Sequence, residues 1–342
     1  METIDKVRFK HVFLLISLLI FAFFVFAFCI GFGSVKIDLK EVVHIIFKKE
    51  AFDPTNRDIV MDIRLPRALA TLIGGAALAL SGLLLQIFFK NPIVEPYVLG
   101  ISSGATLFVA LIMLGGITLG FKNHSPYILA LGAFLGAILV MMLVVAFAIK
   151  VRDIVTLLVI GIMVGYICSA VTNMLVAFAD SERLHGFVMW TKGSFSGFTW
   201  NNIKVLMIIG IPIIIGSFFL VKPLNAFLMG EEYAKSMGVD IKKFRLIIIL
   251  IASILTAIVT AFTGLIAFIG LAVPHISRLI FRTSDNRILI PGTVIMGAIV
   301  TSFCDLVCRT IFAPTELPIS SITSFIGAPI VIYLILKRRA SL

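Results

Sequence analysis

The stretch KPLNAFLMGEEYAKSMGVDIKKFR, Lys222 to Arg245, decides how the rest of the chain is read. Eight of its 24 residues are charged, against 14% for the whole chain, and long apolar runs lie on both sides. It is too polar to enter lipid and too patterned for a slack linker. Pro223 suits a first helical turn. Gly230 permits a break, and Gly238 is placed to end a short helix beginning at Glu231 with a left-handed cap. Asp240 can then cap the next span. The spacing predicts two short helices on the membrane face, rigidly tied to the flanking spans. Such a surface suits docking of a soluble partner; an ordinary solvated loop is the plain alternative.

Composition narrows the class. The 342 residues are 60% hydrophobic, with a mean hydropathy of +1.13, which excludes a soluble globular domain. Apolar segments of about 20 residues recur, each long enough to cross roughly 30 Å of hydrocarbon as a helix. Backbone groups in lipid must be satisfied internally, and alternating barrel strands are absent, so the spans are helical. The net charge of +11 does not point to nucleic acid, because the basic residues flank apolar runs, where anchoring and topology account for them. Cys29, Cys168, Cys304 and Cys308 fall inside apolar runs without zinc spacing and read as small packed hydrophobes.

In order, Lys6, Arg8 and Lys10 precede a first span, Val12 to Gly31. Val35 to Arg67 is mixed and amphipathic, an outer surface segment. Ala68 to Phe89 is the second span, with the small-residue run GGAALALSG that lets helices approach closely. Lys90 to Pro96 is an inner turn. Spans follow at Val98 to Ile117, Tyr127 to Ile149, Ile154 to Phe178 and Ile203 to Val221. The polar interval Asp180 to Asn202 carries Trp190 and Trp200, suited to an interface. Beyond the polar stretch lie Leu246 to Ala267, a short broken eighth span ending near His275 to Arg282, Ile288 to Cys308, and Ile319 to Leu336. The expected fold is all-α: one polytopic membrane domain over residues 1–342, with about ten transmembrane helices. With both termini in the cytoplasm, 17 Lys and Arg fall inside and 12 outside, as the positive-inside bias favours once the long early outer segment is set aside.

Arg64 and Arg67 flank Leu65-Pro66 at the outer start of the second span, and Arg309 ends the ninth. A guanidinium grips a carboxylate in a two-toothed pair, so these residues suit an acidic docking protein. Arg64 and Arg67 equally suit headgroup anchoring or an internal pair, and for Arg309 spacing favours that alternative, since Asp305 stands one turn before it. His275 reads as a structural hydrogen bonder, and Asn91 before Pro92 as a turn residue that could also line an exit. No phosphate loop, metalloprotease motif, Cys/His cluster or nucleophile elbow occurs, so neither catalytic residues nor a metal or cofactor site is expected. Few charges lie deep in spans, leaving little material for an ion relay. Energy delivered from outside is the better reading, and it favours a docking surface at Lys222 to Arg245.

Four stretches carry a resemblance. RLPRALATLIGGAALALSGLLLQIFFKNPIVEPYVLGISSGA (Arg64 to Ala105), MWTKGSFSGFTW (Met189 to Trp200), TGLIAFIGLAVPHISRLI (Thr263 to Ile280) and ELPISSITSFIGAPIVIYLI (Glu316 to Ile335) are similar to the FecCD family, the iron-chelate and vitamin B12 permeases of ATP-binding-cassette (ABC) importers. The resemblance implies a ten-helix, non-enzymatic permease subunit in the cytoplasmic membrane. It implies pairing as a homodimer or with a related permease, two separate ATPase subunits below and an extracytoplasmic substrate-binding protein above. By position, Arg64, Arg67 and Arg309 resemble outer arginines that pair with the binding protein. Asn91 and Ile93 resemble the cytoplasmic gate, where the family usually has Leu at the latter position. Ile154 and Val155 stand where some members carry a polar gate pair. Glu231, Glu232, Tyr233, Lys235, Met237 and Gly238 fall in the coupling helices that meet the ATPases. An ion-coupled secondary transporter is the alternative function, and an intramembrane enzyme a more distant one.

Overall fold

The computed structural model describes residues 2–48, 53–115, 126–151 and 153–339, with side chains over 9–48, 53–115, 127–151 and 153–332. The described chain is helical, without strands: α1 (Glu2–Gly31), α2 (Leu39–Lys48), α3 (Pro54–Asp58), a π-helical turn (Ile59–Arg64), α4 (Leu65–Phe88), a 3-10 turn (Pro96–Leu99), α5 (Ile101–Met113), α6 (Pro126–Lys150), α7 (Ile154–Ala177), α8 (Ser181–Thr191), α9 (Trp200–Gly216), a second 3-10 turn (Ser217–Leu220), α10 (Val221–Leu228), α11 (Glu231–Ser236), α12 (Ile241–Thr263), α13 (Ile269–Phe281), α14 (Asn286–Thr310) and α15 (Ile319–Arg339). Among the described residues seven helical runs are long and apolar enough to span a bilayer, and α5, α13 and α15 supply three shorter apolar segments. The all-α polytopic fold is therefore as expected.

The centre is α4, buried along nearly its whole length. Its small residues explain why. A Cβ at Gly75 would stand 2.3 Å from the carbonyl oxygen of Gly297 on α14, and one at Gly82 would stand 1.8 Å from that of Gly270 on α13. Without side chains there, helices come into backbone contact, which is how apolar helices associate without a hydrophobic drive from lipid. Hydroxyls add specific ties: Ser81 donates to the Ala252 carbonyl of α12 at 2.8 Å, and Thr71 meets Ser302 of α14 at 2.8 Å.

Several boundaries differ from expectation: α9 and α12 are Trp200–Gly216 and Ile241–Thr263 rather than Ile203–Val221 and Leu246–Ala267, and two further shifts bear on the site. The second membrane helix begins well before Ala68, since Pro54 to Phe88 forms one run of 35 residues. Leu65-Pro66 does not break it. Pro66 cannot donate to the Asp62 carbonyl, and the preceding π-helical turn absorbs the mismatch, with the Leu65 N–H bonded back to Val60. The third span is the 13-residue α5, which begins at Ile101 rather than Val98. At about 1.5 Å per residue, α5 and α13 reach only some 20 Å. Irregular backbone precedes each, at residues 91–100 and 264–268.

Candidate functional site

Three places hold the residues singled out from sequence. The first is the arginine cluster near the C-terminal end of α1. Arg67 is 6% exposed. Its Nε and Nη2 donate to Asp305, Nη2 at 2.9 Å, and its Nη1 donates to Glu316 at 2.7 Å. Arg309 Nη2 donates to the Cys29 carbonyl at 2.6 Å, and its Nε stands 3.5 Å from Asp305. Arg64, turned inward by the π-helical turn, donates to the carbonyls of Ile30, Gly31 and Val35. The structure thus brings Arg67 and Arg309 together around Asp305 and sets Arg64 against the C-terminal end of α1. All three guanidinium groups are engaged inside the chain. Glu316 is the cluster's partly open edge, its side chain 34% exposed.

The second place is the turn after α4. Asn91 Oδ1 accepts the Ile93 N–H at 3.0 Å, closing a local turn that leaves Ile93 exposed. The following strand-like backbone is fixed by side chains. His275 Nε2 meets the Pro92 carbonyl at 2.8 Å, Glu95 accepts the Phe268 N–H, and Tyr97 Oη accepts the Ile266 N–H at 3.0 Å. One turn earlier in α4, Gln86 donates to the Leu271 carbonyl at 3.1 Å and accepts from Arg278 Nη1 at 2.8 Å. Such bonds satisfy irregular backbone that lipid could not. Sequence reading passed over Gln86, Glu95, Tyr97 and Arg278. For Gln86 and Arg278 the signal was available as polar side chains inside apolar runs.

The third place is the polar stretch, folded as α10 and α11. Pro223 lies in the first turn of α10. Gly238 takes φ +84°, and the Gly238 and Val239 N–H groups bond to Lys235 and Ala234, which is a Schellman cap. Asp240 accepts from the Lys242 and Lys243 N–H groups at the start of α12. The Lys243 N–H is the chief cause holding its carboxyl below the usual range. Asp153 does the same for α7, its carboxyl lowered chiefly by the Thr156 hydroxyl. Underneath, Phe227 is fully buried, 6.4 Å from the Phe88 ring of α4 and 5.1 Å from Phe244 of α12. Lys90 Nζ sits 5.1 Å over the same ring. Asn225 Oδ1 accepts the Asn286 N–H at 2.9 Å, fastening α10 to α14. Arg245 pairs with Glu231 at 3.1 Å, and Lys235 with Glu232. Tyr233, Met237 and Met229 stand exposed above this base.

A bundle of apolar spans with a capped, polar helix pair wired into its core defines a polytopic transport permease. Comparison with known proteins sharpens the class. The FecCD transport family model matches residues 18–337. An ABC transporter permease protein of Methanocaldococcus jannaschii is 35% identical over 92% of this chain and 90% of its own. The vitamin B12 import system permease protein BtuC of Salmonella paratyphi A is 37% identical over 81% of this chain and 83% of its own. A solved structure, described as an inward-facing conformation of a metal-chelate type ABC transporter, superposes with a TM-score of 0.83 at 29% identity, covering 95% of this chain and 99% of that one. The chain belongs to the FecCD transport family: it is a multi-pass membrane permease of the ABC importer class.

Proposed function

We propose that the chain carries an iron chelate or a cobalamin across the cytoplasmic membrane, as one of two permease subunits above a pair of ABC ATPases. Both termini are cytoplasmic, and ATP hydrolysis resides on the separate ATPase subunits. One observation carries this reading. α11, with Glu231, Glu232, Tyr233, Lys235 and Met237 ended by Gly238, is tied to α12 by the Glu231–Arg245 pair and follows α10, whose Phe227 packs on Phe88 beneath Lys90. A push on α11 reaches the Asn91–Ile93 turn through rigid contacts. The printed names of the relatives, vitamin B12 import and metal-chelate transport, support the cargo class. A substrate-binding protein docks on the outer face, where Arg64, Arg67 and Arg309 hold the rim in shape and Glu316 borders it. Coupling requires contacts that differ between the two states, not contact alone.

Reconstitution tests the reading. Proteoliposomes holding the permease with its ATPases are supplied with binding protein and either radiolabelled cyanocobalamin or a ferric siderophore. ATP-dependent accumulation that is lost on reversal of Glu231 and Glu232 to Lys, at unchanged permease level, is expected. Uptake that persists without ATP and collapses with an uncoupler refutes it.

A further inference from the structure

We infer that α2 is an interfacial lipid anchor, lying in the outer leaflet with one flank against the protein and the adjoining flank in acyl chains. At about 100° per residue, its ten residues divide into three sectors. Val42 and Ile45 face the protein and are buried. Ile46, Leu39, Val43 and Phe47 occupy the next sector and are exposed, Phe47 at 81%. Lys40, His44, Lys48 and Glu41 complete the circle. The apolar arc is thus about twice as wide as the protein covers, and its uncovered half is continuous.

What covers that half follows from where the helix sits. Leu39 lies against the outer end of α1, since a Cβ at Gly31 would stand 2.9 Å from its Cδ2. The three carbonyls held by Arg64 fix the connection between α1 and α2. Asn56 Nδ2 donates to Glu41 at 3.1 Å, fastening the polar side to α3. The helix is therefore held at the level where the membrane spans end. At that end of α1, Phe28 and Phe32 stack at 5.3 Å and are exposed, so the apolar surface of α2 continues one already facing lipid. Lys40 borders Phe47 on the polar side, placed for its stem to lie on apolar surface while its ammonium reaches headgroup phosphates. A wide apolar arc with basic residues at its margin is the pattern of a helix seated in the interface plane.

Spin labels test this in nanodiscs of phosphatidylcholine and phosphatidylglycerol, with Val43→Cys, Phe47→Cys and Lys48→Cys introduced singly into the full chain; the four native cysteines are buried. Labels at positions 43 and 47 are expected to collide with oxygen more than with a water-soluble nickel chelate, and the label at 48 the reverse. Chelate access at 43 and 47 equal to that at 48 overturns the proposal, because the face then meets water. Exclusion of both reagents at 43 and 47 also overturns it, because a protein neighbour then covers the face.

Discussion

Removing Asp305 should destabilise the fold more than removing Arg67, which it pairs with, or Glu316, which pairs with Arg67. Arg67 and Arg309 face Asp305, Glu316 borders Arg67, and Arg64 is held on carbonyls close by, so these five side chains together carry one net positive charge. Asp305→Ala leaves Arg67 and Arg309 facing each other with only the half-open Glu316 for compensation. Breaking a buried pair this way costs about 3–5 kcal/mol. Arg67→Met instead leaves Asp305 beside Arg309 and lets Glu316 turn to water, and the cluster falls to zero net charge. Glu316→Gln loses a pair that is partly solvated and worth about 1 kcal/mol or less. The expected order is therefore Asp305→Ala, then Arg67→Met, then Glu316→Gln. At roughly 2–4 °C per kcal/mol, the first should lower the midpoint of thermal unfolding in detergent by on the order of 10 °C. Intrinsic fluorescence and size-exclusion recovery after heating give the midpoints. A loss for Asp305→Ala no larger than that for Glu316→Gln refutes the charge reasoning.

Other outcomes follow from the same geometry. Phe227→Ala, in the core beneath α10, should cost about 3–5 kcal/mol and lower folded yield. Tyr233→Ala, exposed on α11, should leave thermal stability unchanged while reducing ATPase co-purification and uptake. Glu95→Ala removes the acceptor of a buried N–H, a loss of about 1–3 kcal/mol; uptake should fall, whereas Glu95→Gln keeps an oxygen there and should transport nearly as wild type. Gly82→Ala drives a methyl into the α13 backbone and should abolish folded protein on size exclusion, while Gly216→Ala, with nothing within 4 Å, should run as a monodisperse peak.

Apolar runs, caps and breakers were legible because each is a local property. Gly238 and Asp240 could be placed as caps from spacing alone, and so could the apolar helices. The extent of the second helix was not, because the mixed, charged sequence up to Arg67 reads as a surface segment, whereas the helix runs on through it from Pro54. The arginines show the other limit. Asp305 to Arg309 is a one-turn spacing, but the grip of Arg67 on Asp305 joins residues 238 apart, and no periodicity announces it. A partner's carboxylate and an internal one make the same demand on a guanidinium, so chemistry alone left both open. Likewise Glu95 sits between two prolines in an obvious turn, while its acceptor role depends on Phe268, far along the chain.

The Pro96 ring lies so close to Gly270 that a Cβ there would stand 2.5 Å from its Cδ, and Glu95, Tyr97 and His275 stitch the same two strips of irregular backbone together. The half-length helices α5 and α13 consequently share a single joint. A tilt of either helix therefore pulls on the other through that joint.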